Sequence, residues 1–190
     1  SNVAPALAEE QAKAALDSKN GGVLETANET VGQYGIRNPL GGVAGWSEVY
    51  MNASLESYLK GYNDPRIKSY FNLAQDGRDK EGNIIKEVAG VKQLNSIEGE
   101  YKGVRQGTGV ADNRYSTHSQ TAITTGSKII VMSAAEVWFL RAEAALRNYT
   151  SENVENCYKQ GITVSFAQWD ASGVSEYLES EDTPAAYVDA

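Results

Sequence analysis

The sequence is short of the residues that catalysis and metal binding draw on most. Among 190 residues there is one histidine, His118, and one cysteine, Cys157. A single cysteine excludes an internal disulfide, and without further Cys or His it builds no zinc site. Cys157 falls on the apolar face of a predicted helix, so it reads as a small buried hydrophobe. Basic residues are also few: 17 Lys and Arg against 25 Asp and Glu leave a net charge of −8. That balance argues against electrostatic nucleic-acid binding. No apolar run reaches the roughly 20 residues of a membrane-spanning helix, and no stretch of the 190 residues reads as a signal peptide.

Motifs of common enzymes are missing too. A Ser-His-acid triad would have to use His118, but no Gly-x-Ser-x-Gly nucleophile elbow occurs, and His118 reads as a loop histidine. The glycines of 103–109 (GVRQGTG) lack the Gly-Lys-Ser/Thr of a phosphate loop and open no helix, so this stretch reads as an ordinary loop. Asp76, Asp79, Glu81 and Asn83 suggest calcium, yet the EF-hand pattern fails. With Gly82 as its invariant glycine, Gly77 and Val88 would fall at ligand positions. A solvated acidic turn or a looser calcium site remains. A glycosidase needs two carboxylates across a cleft, and the many scattered acids single out no pair. No cofactor and no metal are expected.

What the chain does have is helix. Residues 133–148 (SAAEVWFLRAEAALRN) carry an N-cap, Ser133, with Glu136 three positions on. Ala, Leu, Glu and Arg follow, all strong helix formers. Glu136, Glu143 and Arg147 form one narrow polar stripe; most other positions are apolar, so this helix is interior. After a turn at Tyr149-Thr150-Ser151, a helix over about 152–167 presents Val154, Cys157, Tyr158, Gly161, Ile162 and Ser165 on one face. Ala142, Ala145 and Gly161 allow close antiparallel approach. Trp138, Ala142 and Ala145, then Val154, Tyr158 and Gly161, match the spacing of a tetratricopeptide (TPR) hairpin, interrupted by Arg141. Arg141 is expected to find a carboxylate or free carbonyls, because an unpaired buried guanidinium is very costly. Trp138 and Ala142 are expected to be buried with Gly161 facing them.

Upstream, helices are predicted over about 5–17, 46–60 and 65–73. Pro5 opens the first, and Asn20-Gly21-Gly22 closes it. In the second, Trp46, Val49, Tyr50 and Ala53 share a face that Leu55, Tyr58 and Leu59 extend, with Gly61 as terminator. Asp64-Pro65 starts the third. Asn38-Pro39 and Gly41-Gly42 read as an irregular loop. From Ala74 the chain is rich in Gly, Asp, Asn, Ser and Thr, giving a loop excursion over about 74–127, with a short β-hairpin turned at Glu81-Gly82-Asn83. The fold class is therefore mainly α, with TPR-like helical hairpins and long irregular loops in one domain.

The stretches 132–148 (MSAAEVWFLRAEAALRN) and 158–169 (YKQGITVSFAQW) resemble the SusD/RagB family of bacterial outer-membrane glycan-binding lipoproteins. Asn63-Asp64-Pro65-Arg66 and Tyr70-Phe71 add to the likeness. The resemblance implies a non-catalytic protein that captures a glycan or other nutrient at the cell surface. It also implies delivery to a SusC-like TonB-dependent transporter. A lipid-anchored cysteine would lie near the start of a longer precursor, and Cys157 is not so placed; the chain is expected to be an internal or C-terminal portion. A TPR-type scaffold that binds only protein is the alternative, and a hydrolase with an unrecognised site is a third reading.

The aromatic residues fit sugar binding. There are 11 Tyr and 3 Trp against 3 Phe. Tyr and Trp pair an apolar face with a polar edge, and a sugar ring offers C–H groups on its face and hydroxyls at its rim. Trp46, Trp138 and Tyr158 lie on predicted helix faces and are assigned to the core. Tyr101, Tyr115 and Trp169 lie in or beside irregular segments and are the candidate platform. Arg105, Gln106 and Asn113 are the candidate hydroxyl partners.

Overall fold

The computed structural model describes residues 4–46, 49–74, 99–107 and 118–182. The chain divides into two compact units. The first comprises Ser1–Tyr34 and Lys128–Leu178; the second comprises Gly35–Ser127 and Glu179–Ala190. The described residues are mainly helical, with a two-stranded antiparallel sheet.

The first unit is organised on two antiparallel helices, α5 (Ala134–Leu146) and α6 (Val154–Gln168). Ser133 caps α5 by accepting from the Glu136 N–H at 3.1 Å. Asn153 caps α6 in the same way, accepting from the Asn156 N–H at 2.9 Å. Both caps remove orphan donors at the helix starts. The small residues Ala142, Ala145 and Gly161 are buried, so the two backbones approach closely. This TPR-like hairpin is the one the spacing predicts, but its register differs in one respect. Gly161 faces the Phe139 ring rather than Trp138. Trp138 is half-buried, short of the expected burial; it packs on the cluster of Ala134, Ala135 and Val164, and its Nε1–H donates to the Glu25 carbonyl at 2.8 Å.

Strands β1 (Val31–Gln33) and β2 (Ile129–Met132) pair antiparallel, with Val31 opposite Met132 and Gln33 opposite Ile129. The apolar run before α5 is thus a strand. Buried Thr30 ties it to the helix: its hydroxyl accepts from the Ala134 N–H at 3.2 Å, and its carbonyl accepts from Lys128 Nζ at 2.7 Å. Helix α1 (Pro5–Leu16) has no buried residue, as its alanine-rich composition predicts. Most of α7 (Val174–Glu179) belongs to this unit, and Tyr177 packs on Phe166 with ring centroids 5.2 Å apart.

Among the described residues of the second unit, three short helices alternate with extended chain. Helix α2 (Pro39–Ala44) stands where the sequence suggests a loop. Asn38 caps it, accepting from the Leu40 N–H at 2.9 Å, and Pro39 occupies its first turn. The helix expected over 46–60 begins only at Ala53, as α3 (Ala53–Gly61). The reason is local competition. Asn52 takes the N-cap position, accepting from the Ser54 N–H at 2.7 Å. Residues 49–52 spend their hydrogen bonds on other segments: Met51 N–H donates to Ser119 O at 2.8 Å, and Thr121 N–H donates to Val49 O at 3.2 Å. Trp46 therefore lies outside any helix and is 69% exposed, contrary to its assignment to the core. Tyr158, on α6, is 55% exposed and departs from that assignment too.

Helix α4 (Ile67–Tyr70) is shorter than expected, but Asp64 does start the turn, accepting from the Arg66 N–H at 3.0 Å. The β-hairpin expected near Glu81 lies outside the described residues.

Candidate functional site

The part of the second unit that carries Tyr101 and Arg105 is anchored on a buried carboxylate. Glu56, one turn into α3, is 6% exposed. It accepts from the Gly103 N–H at 2.8 Å and from Lys60 Nζ at 2.8 Å, so the buried charge is both paired and hydrogen-bonded. Backbone bonds fasten the segment further. Val104 N–H donates to Met51 O at 2.7 Å, and Ala53 N–H donates to Val104 O at 2.9 Å. Gly103 is required here: a Cβ would lie 2.8 Å from the backbone of Ala53. On the other side, fully buried Ser119 accepts from the Lys102 N–H through its hydroxyl at 2.9 Å.

From this base Tyr101 is half-buried, while Arg105 and Gln106 are exposed. The segment thus presents one aromatic ring and two polar side chains near one another in sequence on a fixed backbone. Tyr115 and Asn113 lie outside the described residues. So does the acidic stretch 76–83 weighed for calcium. Trp169 belongs to the first unit, at the C-cap of α6, where it is half-buried. The structure therefore puts Tyr101 and Arg105 in one segment and Trp169 in the other unit.

The sequence reading did not single out the far end of α3. Tyr58 and Tyr62 are four apart, so they share a helix face. Their ring centroids are 6.3 Å apart with planes inclined by 19°, and Tyr58 is 54% exposed. The helix ends in a fixed manner. Tyr62 N–H donates to Tyr58 O at 3.0 Å, and Asp64 N–H donates to Leu59 O at 2.8 Å. Asn63 takes the left-handed conformation (φ 48°) that a C-terminal cap needs and that Asn tolerates well. Its Nδ2 donates to Asp182 Oδ2 at 2.7 Å. Asp64, 5% exposed, holds the turn from behind through Arg66 Nε at 2.9 Å. These residues were missed because Tyr58 was placed on an apolar face drawn from Trp46, which the helix does not reach. The adjoining Tyr62-Asn63 pair was the available signal.

Two recesses are found among the described residues of the first unit. One, of about 490 Å³, is lined largely by apolar groups, among them Leu16, Val23, Leu24, Met132 and Leu140. A sugar would lose water there and gain few hydrogen bonds. The other, of about 580 Å³, includes Lys13, Asp17, Tyr149 and Glu152. Its charges are already engaged: Lys13 with Glu9, Asp17 with the Lys19 N–H, and Glu152 with Arg141.

Arg141 behaves as its position on α5 requires. Nε donates to Glu152 Oε1 at 3.0 Å, Nη1 donates to Glu25 Oε1 at 3.2 Å, and the guanidinium lies 3.6 Å from the Trp138 ring centroid. Burial works against its charge. The hydrogen bonds and charge of Glu152, with help from Glu25, outweigh that cost and hold its pKa above the ordinary value. Cys157 is 3% exposed. Burial, followed by the nearby Glu152 charge, pushes its thiol pKa up, which suits a packing role and not a nucleophile.

No helix among the described residues is long and apolar enough to cross a membrane. Compared with known proteins, residues 1–190 match the family model described as SusD-like, "Susd and RagB outer membrane lipoprotein". A SusD homologue from Bacteroides vulgatus is 38% identical, with a TM-score of 0.77 over 94% of this chain and 34% of its own. One from Bacteroides uniformis is 32% identical, with a TM-score of 0.79 over 99% of this chain and 37% of its own. A chitin-binding SusD homologue from Flavobacterium johnsoniae is 33% identical, with a TM-score of 0.78 over 98% of this chain and 36% of its own. The chain thus spans about a third of the length of these relatives. No curated protein matches it.

Proposed function

Because the chain belongs to the SusD-like family of outer-membrane lipoproteins, we propose that it serves in non-catalytic capture of a glycan or other nutrient at the bacterial cell surface. The captured ligand passes to a SusC-like TonB-dependent transporter. The observation that carries this reading is the likeness, over 98% of the chain, to a solved relative named for chitin binding. The anchored Tyr101–Arg105 segment supports it, since a fixed ring beside polar side chains suits a hydroxylated ligand. In this reading Tyr101, Tyr115 and Trp169 stack on sugar, and Arg105 and Asn113 bond its hydroxyls.

The test is a glycan array, followed by calorimetric titration and analysis of the glycan for cleavage. Binding without turnover is expected. Product formation would turn the reading to a hydrolase; binding to a membrane transporter but to no glycan would turn it to a protein scaffold. Alanine at Tyr101, Tyr115 and Trp169 together should weaken binding at low and high salt alike, because stacking on a neutral ligand involves no ion pair to screen. Unchanged affinity in a folded triple variant would remove those residues from the site.

A further inference from the structure

We propose that Tyr58 and Tyr62, with Asn63 and Asp182, form a stacking site for a neutral oligosaccharide at the C-terminal end of α3. The proposal rests on the glycan-binding reading and adds to it a place and a preference of charge.

The two rings have the geometry of a platform. Their planes are within 19° of parallel and their centroids are 6.3 Å apart. That is the separation of an offset stack, in which the rings overlap only in part. Tyr58 is 54% exposed. Tyr62 is half-buried, and a tyrosine pair four apart adds little to a helix by itself, so local stability gives a weak reason for the exposed Tyr58 ring beside it.

The polar partner is fixed next to the rings along the chain. Asn63 follows Tyr62 directly and holds Asp182 Oδ2 at 2.7 Å. Both Asn63 and Asp182 are exposed. One carboxylate oxygen accepts from Asn63; the group has further acceptor capacity for sugar hydroxyls, and bonds to a charged acceptor are the stronger kind. The carboxamide adds a second donor and its own carbonyl oxygen. Little of this has to be ordered on binding. The left-handed Asn63, the capped end of α3 and the buried Asp64–Arg66 pair already hold the backbone. Asp182, on a chain of net charge −8, repels uronic-acid and sulfated sugars, so the site selects neutral ones.

The experiment is calorimetric titration of the protein with chitohexaose, maltohexaose, cellohexaose and, as the acidic probe, hexagalacturonate. The parent is expected to bind at least one neutral hexasaccharide and to bind hexagalacturonate more weakly. The double variant Tyr58→Ala with Tyr62→Ala should lose that binding by about tenfold or more, with an unchanged circular dichroism spectrum. Asp182→Asn should narrow the gap between neutral and acidic probes, which a merely structural residue would not do. A second readout needs no variant: saturating oligosaccharide should protect Tyr58 and Tyr62 from nitration by tetranitromethane, read by peptide mass spectrometry. Full affinity in the double variant, or undiminished nitration at saturation, overturns this site and leaves the glycan reading standing. A parent that binds none of the three neutral probes overturns the site, and failure across the glycan array overturns the wider reading as well.

Discussion

Phe139 lies so close over Gly161 that a Cβ built on Gly161 would sit 2.7 Å from its ring. The ring also packs on Tyr158, with centroids 5.7 Å apart. An unhindered Gly→Ala change inside a helix gains about 1 kcal/mol from propensity. Here Gly161→Ala should gain none of it, and Gly161→Leu should lose about 1–3 kcal/mol through overpacking. Adding Phe139→Ala to Gly161→Leu should return part of the loss. Chemical denaturation of the four proteins of this cycle measures the coupling, and a coupling of zero would mean that the two residues do not meet.

Gly103 sets a different kind of contact, against backbone. A Cβ there would lie 2.8 Å from Ala53 Cα and from Ala53 N, atoms that cannot swing aside as a ring can. Gly103→Ala should therefore displace the segment carrying Tyr101 and Arg105, at a cost of about 1–3 kcal/mol. Thermal unfolding would show the loss, and glycan titration would show weakened binding if the Tyr101–Arg105 segment is part of the site. Unaltered stability would show that the segment sits elsewhere.

Arg141 is bonded to Glu152 and Glu25 and stacked on Trp138. Removing it strands the partly buried Glu152. Arg141→Ala should cost about 2 kcal/mol, below the range for a fully buried pair because both carboxylates keep some contact with water. Arg141→Lys should recover only part of this, since an ammonium cannot present the planar fork or the stacked face. Calorimetric unfolding of the two variants orders them; a lysine variant as stable as the parent would argue against the fork.

Glu29 offers the pH test. Its carboxylate accepts from the Glu25 N–H at 2.9 Å and the Thr26 N–H at 2.7 Å, with the Thr26 hydroxyl at 3.0 Å. These bonds hold its pKa below the ordinary glutamate value, with the Glu25 N–H contributing most. The folded form thus prefers the charged group. Its contribution to stability is complete above the unfolded-state pKa and disappears as pH falls through the lowered folded-state value. Carboxyl chemical shifts followed by NMR should titrate below the range of an exposed glutamate, and Glu29→Gln should flatten that part of the acid limb. A Glu29 midpoint at the ordinary value would break the cap.

The hairpin was legible because its signals are local. Ser133 and Glu136 cap α5, the small residues Ala142, Ala145 and Gly161 permit close approach, and the apolar period runs through 134–146 with Arg141 as its interruption. All of these act within a few turns of one helix or between two neighbours in the chain. The need of Arg141 for a carboxylate followed from electrostatics alone, although which carboxylates answered it did not. The family likeness was carried by the same stretch. What the tertiary structure alone decided lies where backbone groups have distant partners. Residues 49–52 could have joined α3, as their side-chain pattern suggests; Ser119, Gln120, Thr121 and Val104 took their hydrogen bonds instead. That choice makes α3 begin at Ala53 and leaves Trp46 outside the helix and exposed. Tertiary structure also joins Asn63 to Asp182, 119 positions away. A single chain segment cannot show such pairings, because extended backbone is satisfied by whichever strand reaches it, and that depends on how the rest of the unit closes.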